Sequence, residues 1–326
     1  MNTEEISYLR SSILDGVLDS ILEALSVDDN SDLYHYTSPN GLLGIFENNE
    51  MWFGNILDLN DITEIEYAFN NVVVPVLSDS KIISDENKDL LFKKLNMARQ
   101  YKLFLPHKDS AQLHNSNVFI FSTSLNGNSH NLWNNYTKTS NRAGYAISLT
   151  LKDWHDAFWT GLNMREKSTT NEVDSFLLGG KVIYKLSDQK KLVEKFLDPI
   201  PEKTDGRGKE FIDVLFDIVA QGLFILAIYM KDIDYVQESE YRFVAVVADE
   251  VATVNKKESP HIKFVNVDGS IVSRLAMPID ISKFRKIVIS PYMPEQSHTY
   301  NDLRFFLSRY GITDFDIVSD IKRKSR

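Results

Sequence analysis

The stretch Gln237-Glu238-Ser239-Glu240-Tyr241-Arg242 runs on into Phe243-Val244-Ala245-Val246-Val247-Ala248. From Glu240 to Ala248 it is rich in β-branched and aromatic residues, which predicts a strand. Comparable runs at 33–37, 117–124, 143–150, 181–186, 261–267 and 286–290 predict further strands, with a short apolar run at 51–54. Helices of irregular length separate them. A doubly wound parallel sheet would alternate strand and helix regularly and place a Gly-rich turn after its first strand, and neither feature is present. The expectation is therefore an α+β fold with mixed, largely antiparallel sheets and flanking helices.

Ser38 reads as the N-cap and Pro39 as the first residue of a helix carrying Leu42, Leu43, Ile45 and Phe46. Asn60 or Asp61 caps a second helix with Ile62, Ile65, Phe69, Val72 and Val73 on one side, and a longer helix is expected over 86–105. The apolar stretch 214–230 is interrupted by Asp217 and Gln221 and falls short of the roughly 20 apolar residues that span a bilayer, so it predicts a buried helix. At the N-terminus Ile6, Leu9, Ile13, Leu14, Val17, Leu18, Ile21, Leu22 and Leu25 recur at helical spacing. That amphipathic helix must lie against the core or a second copy, which makes a homo-oligomer one reading. The expected organisation is this helix over 1–30 and a single main domain over 31–326, with the polar loops 166–174 and 199–208 the most flexible places.

Composition narrows the chemistry. A chain of 326 residues with 43% hydrophobic content can bury a sizeable core. The absence of cysteine removes disulfides, thiolate zinc sites and cysteine nucleophiles, and fits a reducing compartment. The N-terminus MNTEEISYLRSS lacks the pattern of a signal peptide, so the expectation is a cytoplasmic protein with no membrane partner. A formal charge of -10 disfavours sequence-blind binding to phosphate backbones, and the basic Lys322, Arg323, Lys324 and Arg326 read as a solvated tail. Seven scattered histidines supply no paired ligand spacing, so no metal is expected, and the serine-hydrolase, P-loop and dinucleotide glycine motifs are missing.

Four segments place polar or aromatic residues where a strand meets a turn, positions that are held rigidly yet accessible. In Tyr34-His35-Tyr36-Thr37-Ser38 alternation puts His35 and Thr37 on one face, and His35 either enters a cleft or is a hydrogen-bonded residue beneath the next helix. In Asn60-Asp61 with Glu64 a capping arrangement explains the spacing without a ligand. In Phe121-Ser122-Thr123-Ser124 with Trp133 and Tyr136, the two aromatics share a helix face and either join the core or flank a planar ring. In 237–242, Glu238 and Glu240 point to one side, where they await a cation, a substrate or a proton, or are neutralised by Arg242 in an exposed ion-pair ladder.

In order along the chain, these segments resemble a widespread bacterial family known as domain of unknown function 2971. The likeness runs through Leu33 to Thr37, Leu42 to Phe53, Leu59-Asn60-Asp61 with Glu64, Phe119 to Ser124, Leu132-Trp133 to Tyr136 and Gly144 to Ile147. It continues through Val182-Ile183-Tyr184, Lys231, Glu238 to Val244 and Ile287 to Pro291, covering about residues 33 to 310. More distantly, a histidine on an early strand, a serine-rich middle strand and a late Glu-x-Glu are similar to the ADP-ribosyltransferase superfamily, whose split β core binds NAD. That resemblance implies His35 on an NAD ribose, Ser122 or Ser124 on the nicotinamide side, Glu240 holding the ribose hydroxyl and Glu238 orienting an acceptor, protein or nucleic acid. Tyr36, Trp133 or Tyr136 would stack on nicotinamide, with Thr37 beside them. The pattern is a hybrid: no arginine takes the first-strand position, and no tyrosine sits on the middle strand. The implied role is an NAD-consuming toxin or phage-defence effector. The alternative is a non-catalytic module that uses the same cleft to bind a nucleotide or a protein.

Overall fold

A computed structural model describes residues 23–58, 63–81, 83–98, 103–107, 110–137, 143–166, 175–200, 204, 206–248, 261–267, 269–284, 286–293, 299–312 and 316–319. The N-terminal stripe up to Leu22, the Asn60–Asp61 cap, most of the two polar loops and the basic tail fall outside these residues. Of the expected N-terminal helix, Glu23 to Leu25 are described and helical, and Leu25 is fully buried.

The fold is α+β, as expected. Strand β1 (Asp32–Thr37) leads into helix α1 (Pro39–Asn48), whose N-cap Ser38 accepts the Gly41 N–H at 3.0 Å. Strand β2 (Glu50–Asn55) follows, then α2 (Thr63–Ala68), which passes through the π-helical Phe69–Val73 into α3 (Val74–Asp79). After α4 (Asp85–Ala98) come β3 (Leu103–His107), β4 (Ser110–Ser124), α5 (His130–Tyr136), β5 (Tyr145–Thr150) and α6 (Leu151–Glu166). Next are β6 (Phe176–Lys181), α7 (Leu186–Leu197), α8 (Lys209–Ile228), a 3₁₀ turn (Ile233–Glu238) and β7 (Glu240–Ala248). The chain closes with β8 (His261–Val267), β9 (Ser270–Pro278), β10 (Lys286–Ile289), α9 (Thr299–Ser308) and β11 (Asp316–Ser319).

Two expectations are corrected. The helix expected over 86–105 ends at Ala98, and Leu103–His107 is a strand because it pairs antiparallel with β4. Of the strand expected over 181–186, only Lys181 belongs to one. The pairing partner of β7 is the preceding segment Phe176–Lys181, and helix α7 begins at Leu186.

The spine of the sheet is β4. Along one edge it pairs with β7 from Ser116↔Ala248 to Ser124↔Glu240. Its other edge meets three strands in turn: β3 as far as Ser116, β2 at Phe119 and Ile120, and β1 at Ser124 alone. Between β2 and β1, residues Phe121 to Thr123 have no strand neighbour on that edge. Strand β1 instead pairs along its whole length with β5, which continues to β10 and then to β11, the one parallel pairing among the described strands. The sheet is thus split in two, hinged at Tyr34↔Ser124.

Helix α8 lies in the main core, where Leu215, Phe216, Leu223, Phe224, Ala227 and Ile228 are all fully buried. Lys94 on α4 anchors it through Asp213 and Asp217, at 3.0 and 2.8 Å. Gly222 permits its close approach to α7, since a Cβ there would lie 2.4 Å from the Phe196 ring. Neither helix can recede without opening the core, so Gly222→Ala should destabilise the fold by about 1–3 kcal/mol in a denaturant melt.

Candidate functional site

The split between β1 and β2 opens into a cleft of about 330 Å³. His35, Tyr36, Ser122, Ser124, Tyr136, Glu238 and Glu240 all line it. Residues from five separate elements therefore meet where the sheet divides. Thr37 and Trp133 do not join them. Thr37 is buried against Gly41 at the start of α1. Trp133 is wholly buried, edge-on to Tyr36 at 4.5 Å, with its indole N–H donated to Asn128 Oδ1 at 3.0 Å. It supports the cleft wall from behind rather than forming it.

His35 stacks on Phe121 with ring centroids 4.5 Å apart, and Nδ1 lies 3.2 Å from the Ser122 carbonyl on the open edge of β4. A carbonyl only accepts, so Nδ1 carries the proton and Nε2 is left as an acceptor. Burial lowers the His35 pKa from 6.5 to about 4, against the opposing hydrogen bond to Ser122. The ring is neutral at pH 7. Unfolding returns the pKa to its ordinary value, so below pH 6.5 the unfolded chain takes up a proton that the folded chain refuses until about pH 4. His35 should therefore cost stability progressively as pH falls through that window, and His35→Gln should flatten this part of the melting-temperature profile.

Behind His35 lies a buried network of charges. Arg242 grips Glu240 through Nε to Oε1 and through a second guanidinium nitrogen to Oε2, both at 2.8 Å, and reaches Glu64 at 2.6 Å. Lys231 sits 2.7 Å from Glu238, 2.8 Å from Glu64 and 3.5 Å from Glu240. Three carboxylates against two cations leave one negative charge in excess. For Glu240, burial raises the pKa, but Arg242 and Lys231 outweigh it, with hydrogen bonds from Arg242 and the Ser122 hydroxyl, and bring it down to about 2. For Glu238, burial wins over Lys231 and the pKa is raised. Removing five charged groups from water costs more than their mutual attraction reliably returns, so such a network points to a functional need for charge rather than to stability alone.

The geometry separates roles that the sequence left open. The Ser124 hydroxyl is donated to the Glu238 carbonyl at 2.6 Å and accepts the Asn126 N–H at 3.0 Å, so it ties together the turn that carries Glu238. Ser122 is the serine that addresses Glu240. Tyr36 spends its hydroxyl on the loop after β4, donating to the Asn126 carbonyl at 2.6 Å and accepting the Ser129 N–H at 2.9 Å. Glu238 is not on the strand with Glu240. It ends the 3₁₀ turn, and Ser239, at φ 44°, redirects the chain, so the two carboxylates meet through Lys231 rather than by strand alternation. The ladder reading holds for Glu240 and Arg242, with the correction that both are buried.

Sequence reasoning missed Glu64, which it assigned to capping, and gave no role to Lys231, Trp52, Tyr184 or Arg274. The available signal was Lys231 itself, directly after an apolar run ending in Met230, where a cation needs buried carboxylates. Trp52 and Arg274 also line the cleft, and the Tyr184 hydroxyl accepts the Glu240 N–H at 2.9 Å. Among the described residues, no group of three or more His, Asp or Glu is arranged to hold a metal ion. No protein-family model, curated protein or solved structure matches this chain at a significant level.

Proposed function

We propose that this cleft binds NAD and cleaves its nicotinamide–ribose bond, passing ADP-ribose to a protein or nucleic-acid acceptor or to water. The observation that carries the reading is a buried cluster of three carboxylates against Lys231 and Arg242 beneath aromatic walls at the split of the sheet, with Arg274 on the same lining. A cationic planar ring fits that combination, because aromatic faces and a carboxylate floor both attract it while a neutral ring gains only the stacking. The oxidised nicotinamide of NAD is such a ring. The likeness of the His, Ser and Glu order to ADP-ribosyltransferases supports the same substrate.

Each group then has a task. His35 Nε2 accepts a ribose hydroxyl, and Tyr136 stacks on the nicotinamide. Breaking the bond from the anomeric carbon to the ring nitrogen sends its electron pair to the nitrogen, so the ring leaves neutral and the positive charge passes to the sugar. Glu240, oriented by Ser122 and Arg242, faces that charge at fixed distance without reorganising. Glu238, with its raised pKa, takes the proton of the attacking acceptor.

Calorimetric titration with NAD and NADH tests recognition directly, since the reduced ring has lost its charge. NAD should bind more tightly than NADH, and Tyr136→Ala should weaken NAD by roughly five- to thirtyfold through the lost cation–π contact. Equal affinity for the two forms would remove the reason for naming NAD. A second reading is favoured by the grip of Arg242 on both Glu240 oxygens, which suits a cleft that holds a cationic ligand without cleaving it. Binding without release of nicotinamide is its signature.

A further inference from the structure

We propose that the groove between β6 and α7 is a second binding site, for a small molecule carrying two or more phosphate groups. The groove encloses about 500 Å³, a volume suited to a nucleotide-sized ligand. Lys181, Lys185, Lys191 and Lys195 line it, against the single acidic residue Asp188. On α7, Asp188, Lys191, Leu192 and Lys195 are spaced by three, four and seven residues and so share one face. Lys191 and Lys195, four apart, put two positive charges on that face.

Outside the groove, six described lysines are paired and five, Lys81, Lys93, Lys190, Lys209 and Lys283, are not. Lys88, Lys94, Lys152, Lys231, Lys263 and Lys286 each meet a carboxylate. Among the described residues, Lys181, Lys185 and Lys191 form no ion pair. In a chain of net charge -10, Lys181, Lys185 and Lys191, converging on one concavity without carboxylate partners, attract an external anion. That anion is compact. Beyond the lysines the acidic chain repels an extended polyanion, whereas a small one feels charges within a screening length of about 8 Å.

The groove also touches the cleft from behind. The Val182 N–H is donated to the Glu240 carbonyl at 2.9 Å, and Tyr184, another lining residue, accepts the Glu240 N–H. An occupant of the groove therefore bears on the backbone that positions Glu240.

Calorimetric titration of the full chain with inorganic tripolyphosphate and with ATP, at two salt concentrations, tests the site. Saturable binding that weakens with salt is expected, with a loss of roughly tenfold or more in the double variant Lys185→Ala, Lys191→Ala. Both lysines are exposed, so the thermal melt of that variant should match wild type. Glu240→Gln should bind tripolyphosphate as wild type does, which separates this site from the proposed NAD cleft. Unchanged affinity in the lysine variant, no binding of either phosphate compound, or tighter binding of a single-stranded oligonucleotide than of tripolyphosphate would each overturn the proposal.

Discussion

Arg242→Met should cost about 3–5 kcal/mol of folding stability, measured by denaturant unfolding, despite the similar length of the two side chains. The arginine holds Glu240 and Glu64 together and donates a further hydrogen bond to the Ile228 carbonyl at 2.5 Å. Without it the network carries three carboxylates against Lys231 alone, with Glu238, Glu240 and Lys231 buried and Glu64 partly exposed. Adding Glu240→Leu should recover part of the loss, because an absent charge needs no partner. A cost no larger in Arg242→Met than in an exposed lysine variant would mean that water reaches the network and that its charges are not held in place.

Glu240→Gln addresses chemistry rather than stability. The substitution keeps the shape and removes the charge facing the developing sugar cation, so nicotinamide release should fall by about 10²–10³-fold while NAD binding changes far less. Arg242 retains Glu64 and the Ile228 carbonyl, so the variant should stay folded. Ser122→Ala should produce a smaller loss in the same direction, since Ser122 acts by orienting Glu240.

Much of the sheet was legible in local pattern. The bounds of β7 and β8 follow from their β-branched runs, and the start of α1 follows from Ser38 and Pro39, each an interaction between residues close in sequence. Strand β6 was hidden by Gly179 and Gly180, poor strand formers that are tolerated because Tyr241 covers one and Leu25 and Tyr229 cover the other. Strand β9 was hidden by its mixed composition, with Ile271 largely exposed and its pairing supplied by β2 and β8. The cleft followed the same division. His35, Ser122, Tyr136, Glu238 and Glu240 stood out at strand and turn positions, whereas Glu64 looked like a helix cap. Its true partners are 167 and 178 residues away, at Lys231 and Arg242, a distance that no local pattern bridges.

The most direct test incubates the purified chain with NAD and follows free nicotinamide by chromatography, comparing wild type with Glu240→Gln. Release by wild type, with a loss of two orders of magnitude or more in the variant while both still bind NAD, is the predicted result. NAD bound by wild type with no nicotinamide released would contradict cleavage and leave the cleft as a binding site alone.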